Sequence, residues 1–160
     1  MCGWIKINVD GSSKGNLGLA GCGAVVRDYN DKIIRCFFGS YGNYTSLESE
    51  LVSVIYAVHY ATIKGMNNLC LESDSTTVIQ AIWNGVIHIS WKLTSRWMNY
   101  LTSLWERNYI VTHVYHEANK VVDGLTNNGI NKELRWIDEF LLALNPLYER
   151  DCNKLPSFRL

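Results

Sequence analysis

Four carboxylates in this chain stand at the ends of predicted elements rather than in solvated charge runs: Asp10, Glu50, Asp74 and Asp123. Asp10 closes the first predicted strand, Glu50 lies in the first helix, Asp74 follows the fourth strand, and Asp123 falls near the start of a late helix. Parallel first and fourth strands would bring Asp10 and Asp74 to the same sheet edge. Carboxylates gathered there repel one another and are expensive to desolvate, so such a group calls for divalent cations. That chemistry points to Mg2+ or Mn2+. Taken singly, each acid has an ordinary role open to it as a turn, cap or solvated helix residue. Only the set is informative.

The elements that must position these acids can be read from periodicity. Ile5, Ile7 and Val9 alternate with Lys6, Asn8 and Asp10, as in a strand with one buried face. A turn-rich loop from Gly11 to Gly18 leads to two further strands, Gly21 to Val26 and Ile33 to Phe38, joined by a turn at Asp28 to Asp31. Thr45 or Ser46 starts a helix whose apolar stripe, Leu47, Leu51, Val54, Ile55 and Val58, runs toward a stop at Gly65. Asn68 to Ser73 reads as a buried strand, and Asp74 and Ser75 cap a helix through about Trp83. A helix from Trp91 to Arg107, a strand from Tyr109 to Tyr115 and a helix from Asn119 to Asn127 follow. This order predicts an α/β domain over residues 1–130, with a mixed five-stranded sheet and helices packed on it. Residues 131–160 form an extension, in which Leu134, Trp136, Ile137, Phe140 and Leu141 suggest a packing helix before Pro146, then a tail.

Composition narrows the function classes. A chain of 160 residues with 48% hydrophobic and 19% charged residues fits one globular domain with a real core. Fifteen Lys and Arg against fifteen Asp and Glu leave no long-range positive field to gather nucleic acid, so any such binding must be local. Five cysteines, at positions 2, 22, 36, 70 and 152, form neither a CxxC pair nor a zinc spacing and read as reduced thiols. No apolar stretch approaches a membrane span and no leader pattern opens the chain, so an intracellular setting, nucleus or cytoplasm, is expected.

Five segments carry a resemblance: Ile7-Asn8-Val9-Asp10-Gly11-Ser12, Gly15-Asn16, Thr45-Ser46-Leu47-Glu48-Ser49-Glu50-Leu51, Glu72-Ser73-Asp74-Ser75, and His113 through Asp123. In this order and spacing they resemble ribonuclease H type 1, and more narrowly the plant reverse-transcriptase-like domains related to retrotransposon ribonucleases H. The resemblance implies the ribonuclease H-like fold, with helices on both sheet faces, and hydrolysis of the RNA strand of RNA/DNA hybrids. It also implies two Mg2+ ions, with Mn2+ an alternative, held by Asp10, Glu50, Asp74 and Asp123. In such sites one ion activates water and the other stabilises the leaving oxygen. Periodicity cannot choose between Glu48 and Glu50, which flank the apolar stripe on opposite sides. The family pattern, with its catalytic Glu directly before Leu, selects Glu50 and leaves Glu48 a surface residue.

His113 stands ten positions before Asp123, where the family carries a mobile histidine that assists proton transfer or product release. His116 reads as a phosphate contact or a surface residue, and His59 and His88 have no motif support. Asn16 and Thr45 match positions that contact phosphates or sugars, and backbone amides at Gly11 and Ser12 would read the RNA 2′-OH. Most of the six tryptophans are assigned to the core. Three positions depart from the family pattern: Leu17 replaces a frequent Pro, Gly124 replaces a usual Ala, and Asn84 to Ser90 contains no Lys or Arg where some relatives have a basic protrusion. The competing reading is a non-catalytic nucleic-acid or protein-interaction module derived from a retroelement. Expected partners are the hybrid and a reverse transcriptase or other domain of a larger polyprotein.

Overall fold

The computed structural model describes residues 3–85 and 88–138. Its elements in chain order are β1 (Ile5–Ser13), β2 (Gly18–Arg27), β3 (Ile33–Tyr44), α1 (Ser46–Ile63), β4 (Asn68–Ser73) and α2 (Thr76–Asn84). There follow α3 (Trp91–Trp105), β5 (Asn108–His113), a 3-10 turn (His116–Ala118), α4 (Lys120–Gly129) and β6 (Arg135–Asp138). The strands form one mixed sheet in the order β5-β4-β1-β2-β3-β6. β1 pairs antiparallel with β2 and parallel with β4, and β4 pairs parallel with β5.

Strand alternation sorts the apolar residues onto two faces. Ile7 and Val9 of β1, with Ala24 and Val26 of β2, join α1, α2 and α3 in the larger core, where Leu51, Ile55, Leu93, Trp97 and Leu101 are almost fully buried. Val25, Cys36 and Phe38 face the other way and pack under Val121, Val122 and Leu125 of α4. Helices therefore cover both faces, as expected.

Two expectations are corrected. The sheet has six strands, not five, because β6 occupies the place of the first part of the expected packing helix. Trp136 packs toward the larger core, stacking on Tyr60 with ring centroids 4.3 Å apart, while Ile137 packs toward the smaller one. Adjacent residues serving opposite faces is strand geometry, and β6 pairs with β3 from Arg35↔Asp138 to Phe38↔Arg135. Phe140, Leu141, Pro146 and the expected tail lie outside the described residues. Secondly, β1 does not end at Asp10: it continues to Ser13, paired with β2 throughout, whereas its pairing with β4 stops at Asn8↔Glu72. Asp10 is thus a strand residue projecting past the last rung shared with β4. No helix among the described residues is long and apolar enough to cross a membrane.

Gly11 governs how closely α1 approaches this strand. A Cβ there would stand 2.2 Å from the backbone nitrogen of Glu50, so only glycine lets the first turns of α1 rest on the strand beside Asp10. Gly11→Ala must displace either helix or strand, and we expect a loss of about 2 kcal/mol or more in urea unfolding, within the range of overpacked cores. An unchanged midpoint would show that the helix is not seated as closely as described.

Candidate active site

Asp10 is 8% exposed, and its Oδ2 is buried without a hydrogen-bond partner. Burial pushes its carboxyl up to about 7 from 3.8, helped by the negative charges of Asp74, Asp123 and Glu50, while a hydrogen bond from the Thr126 side chain works against the rise. An acid this close to neutral water's pH sits among other acids because the fold holds it there. The register explains which acids. Asp10 lies two residues beyond Asn8↔Glu72, and Asp74 lies two residues beyond Glu72 on the parallel neighbour.

Glu50 is held on α1, whose start is fixed by Thr45. The Thr45 hydroxyl accepts from the Glu48 amide at 3.2 Å, and the Thr45 amide donates back to Glu48 Oε2 at 3.1 Å, a reciprocal capping box. Glu48 Oε1 also accepts from the Ser90 amide at 3.2 Å, tying the start of α3 to the start of α1. Glu48 is 8% exposed and not the surface residue expected, because the third position of the cap turns its carboxylate back over the helix end. Burial would raise its pKa, but hydrogen bonds from Ser90 and Thr45 outweigh this and hold it below the ordinary glutamate value. Glu50, two residues on, behaves oppositely. Its pKa is pushed up to about 7 from 4.5 by burial, opposed by a hydrogen bond from Ser75, with the Asp74 charge raising it further.

Asp74 follows β4 and meets two histidines from the end of β5 and beyond. His113 Nε2 lies 3.2 Å from the Asp74 backbone carbonyl, and the imidazole packs edge-on against Tyr115 with centroids 5.9 Å apart. His116 Nδ1 lies 2.9 Å from Asp74 Oδ2, and that hydrogen bond raises the His116 pKa. His116 was read as a phosphate contact or a surface residue; the structure makes it the partner of the Asp74 carboxylate, although 64% of its side chain stays exposed. The signal in sequence was its place in the same motif as His113.

Asp123 sits in the first turn of α4, and Asn127 Nδ2 donates to its Oδ1 at 2.8 Å. Asn127 in turn accepts from the Ser12 hydroxyl at 3.3 Å, so Ser12 is linked to Asp123 through one side chain. Gly124 does not interrupt α4, which runs unbroken from Lys120 to Gly129. Asn119, just before the helix and 2% exposed, anchors it by donating to the Val9 carbonyl at 3.2 Å. No sequence signal had singled out Ser53 or Thr126, since their contacts depend on how α1 and α4 sit on β1; Asn119 lay within the His113-to-Asp123 motif but was read only as the start of a helix.

The remaining predicted residues are distributed around this site. Gly11 touches the Glu50 backbone, Ser12 bonds Asn127, and Thr45 caps α1. Asn16 is exposed in the turn between β1 and β2, where Leu17 adopts a positive φ of 143° that proline cannot take. The tryptophan assignment is corrected: Trp97 is 1% exposed, but Trp83, Trp91 and Trp105 are 61%, 81% and 43% exposed. Trp83 and Trp91 occupy helix ends off the buried stripes, and Trp105 lies over Gly85 with its indole N–H 3.4 Å from the Ile82 carbonyl.

The all-oxygen, strongly negative donor set suits a hard divalent cation, and Asp10 Oδ2, buried without a hydrogen-bond partner, could serve as one of its ligand atoms. As the side chains lie, no three His, Cys, Asp or Glu among the described residues are gathered into a ready metal shell. Asp74 holds His116 through Oδ2 and Asp123 holds Asn127 through Oδ1.

Comparison with known proteins adds three findings. Residues 8–129 match the family model described as reverse transcriptase-like. An Arabidopsis thaliana protein that bears a provisional ribonuclease H name is 32% identical over 138 residues, covering 82% of this chain but 21% of that protein. The chain thus spans about a fifth of this curated relative's length. Among solved structures, RNase H1 from Halobacterium salinarum superimposes with a TM-score of 0.72 at 23% identity, over 79% of this chain and 97% of that one. LC11-RNase H1 in complex with an RNA/DNA hybrid superimposes with a TM-score of 0.69 at 23% identity, over 79% and 96%. At these identities the structures establish the shared fold.

The raised pKa of Asp10 predicts a pH dependence of stability. With divalent cations chelated, the folded state keeps the Asp10 proton up to about 7, whereas the unfolded chain releases it near 3.8. Between those values the folded state binds more protons, so stability falls as pH rises through the window and the loss is complete above it. Asp10→Asn removes the ionisation. The variant should therefore gain on wild type by roughly 2 kcal/mol between about pH 5 and about pH 8, at 1.4 kcal/mol per unit less some relaxation. Urea unfolding at the two pH values checks it, and a constant gap would mean that Asp10 is not held in this environment.

Proposed function

Since this chain belongs to the reverse transcriptase-like family of ribonuclease H domains, we propose that it hydrolyses the RNA strand of RNA/DNA hybrids, with Mg2+ or Mn2+ held by Asp10, Glu50, Asp74 and Asp123. The single observation that carries this reading is the buried Asp10 carboxylate, whose Oδ2 has no hydrogen-bond partner and whose pKa is raised toward neutrality by burial and three neighbouring acids. A cluster that destabilises the protein without a cation has a reason to exist where cations complete it. Bound there, two divalent ions would supply a nucleophilic hydroxide and stabilise the departing oxygen.

The chain's own residues divide the remaining work. Asp10 is fixed in backbone and held by β1, so it sets the floor of the site. Asp74 and Asp123 are the adjustable members, each with a partner it can release, His116 or Asn127. His113, exposed at the end of β5 and bonded only to the Asp74 peptide, is free to hand a proton to a leaving group. Ser12, exposed enough to meet a strand and linked through Asn127 to Asp123, couples substrate contact to that acid. The hybrid is named by the LC11-RNase H1 complex, whose fold this chain shares. We further propose that the domain works within a longer polypeptide, as the length of the Arabidopsis relative suggests.

A second reading is a nucleic-acid or protein-interaction module without catalysis; the net charge of zero and the lack of Lys and Arg between Asn84 and Ser90 favour weak or partner-dependent action. One assay separates the two. Incubated with a labelled RNA/DNA hybrid and Mg2+, the protein should cleave the RNA strand and leave DNA duplex intact, and Asp10→Asn should lose cleavage. His113→Ala should slow cleavage by about 10² or more, with Mn2+ binding unchanged. Hybrid binding without cleavage in the wild type supports the module, and wild-type rates in His113→Ala across roughly pH 6 to 9 would make that histidine structural.

A further inference from the structure

The main-chain carbonyl of Asp10 is approached by hydroxyls from both sides of the sheet. From α1, the Ser53 hydroxyl donates to it and also accepts from the Gly23 amide at 3.2 Å. From α4, the Thr126 hydroxyl, bonded to the Val122 carbonyl at 2.8 Å, lies 3.4 Å from the same oxygen. Both side chains are completely buried. Asp10 and Gly23 stand opposite one another in the β1–β2 ladder. The Ser53 hydroxyl, also 3.1 Å from the Ser49 carbonyl of its own helix, ties α1 to that pair of peptides. It fixes where α1 sits along β1.

The spacing on the two helices is the same. Glu50 precedes Ser53 by three residues, and Asp123 precedes Thr126 by three, so on each helix the acid and the hydroxyl are surface neighbours one turn apart. Glycines make room for both: Gly11 admits the α1 backbone, and a Cβ on Gly23 would stand 2.6 Å from the Thr126 hydroxyl. We propose that Ser53 and Thr126 form a two-sided clamp on the Asp10 peptide and act as positioning residues, setting Glu50 and Asp123 against Asp10. The inference rests on the proposed function only where it calls the cluster catalytic. The register it describes exists in the cation-free protein.

The test uses Ser53→Ala, Thr126→Val, Thr126→Ser and Asp10→Asn in the full chain. Mn2+ affinity, read by titration calorimetry, should fall about tenfold in Ser53→Ala and in Thr126→Val, the low end for residues that orient metal ligands. Thr126→Ser, which keeps the hydroxyl, should stay close to wild type. A second readout needs neither metal nor activity. If the clamp presses Asp10 toward its neighbours, the rise in melting temperature from Asp10→Asn at pH 8 should shrink by about half in the Ser53→Ala background, departing from additivity, whereas Thr126→Val, which also removes the hydrogen bond that favours the ionised Asp10 carboxyl, should enlarge it. A merely structural hydroxyl would lower both melting temperatures and leave that difference unchanged. Additive melting shifts, or Thr126→Ser behaving like Thr126→Val, overturn the proposal. Wild type that neither binds Mn2+ nor cleaves hybrid overturns the proposed function instead, while the melting cycle still decides the clamp. If Ser53→Ala does not fold, the Thr126 pair carries the comparison through Mn2+ affinity.

Discussion

The structure is organised around one unfavourable fact: a carboxylate, Asp10, is buried on the sheet, and that burial, with three other acids nearby, pushes its pKa up to about 7. Left to itself a strand would turn such a residue to water. Here β1 outruns its parallel neighbour β4 by several residues while staying paired to β2, so the Asp10 backbone is fixed although its Oδ2 finds no hydrogen-bond partner. The stability that tolerates this comes from elsewhere, from the two apolar layers that enclose the sheet. Function at such a site is a local exception sustained by consistency in the rest of the chain.

Those two layers meet at the same peptide. The larger core places α1 and the smaller core places α4, and nothing in apolar packing alone would relate one helix to the other across the sheet. Relation comes from polar contacts with β1: Ser53 and Thr126 on the Asp10 carbonyl, Asn119 on the Val9 carbonyl. Buried hydrogen bonds contribute little net stability but are costly to leave unmade, so they select one register among many of similar packing energy. For Asp10, Glu50 and Asp123, carried by β1, α1 and α4, register is the property that matters.

How much of this was legible depends on the range of the interactions concerned. The strand-to-helix order and the four acids could be read because alternation, helical spacing and local motifs encode them. The Thr45 to Glu48 spacing of a capping box was also present, yet periodicity drew attention to which side of the helix Glu48 faced rather than to its return bond to the cap. β6 was misread because Leu134, Trp136 and Ile137 suit a helix as short apolar text, and only the open edge of β3 decides between helix and strand. The tryptophans failed for the converse reason, since a large apolar ring at a helix end has no core to enter. The roles of Ser53, Thr126 and Asn119 on β1 were not legible because their partners lie 43 to 116 residues away.

The same face of β1 also shows how the fold limits its electrostatic cost to one end. Lys6, Asn8, Asp10 and Ser12 alternate onto the α4 side of the sheet. At the first two, charge is balanced: Lys6 pairs with Asp31 at 2.6 Å and approaches Glu72 at 3.8 Å, while Asn8 donates to Glu72 at 2.8 Å and accepts from the buried Arg27 at 3.4 Å. Glu72 is thus an acid provided for, in the strand that also leads to Asp74. One step further the provision stops. Asp74 has an imidazole and Asp123 an amide, both exchangeable, and Asp10 Oδ2 has nothing. Within about two residues of strand, roughly 7 Å, the surface passes from compensated to uncompensated negative charge. A net charge of zero over the whole chain therefore hides a steep local field. On the proposed function, such a field would draw small divalent cations first, because a polyanion such as nucleic acid would be repelled until the acids are neutralised.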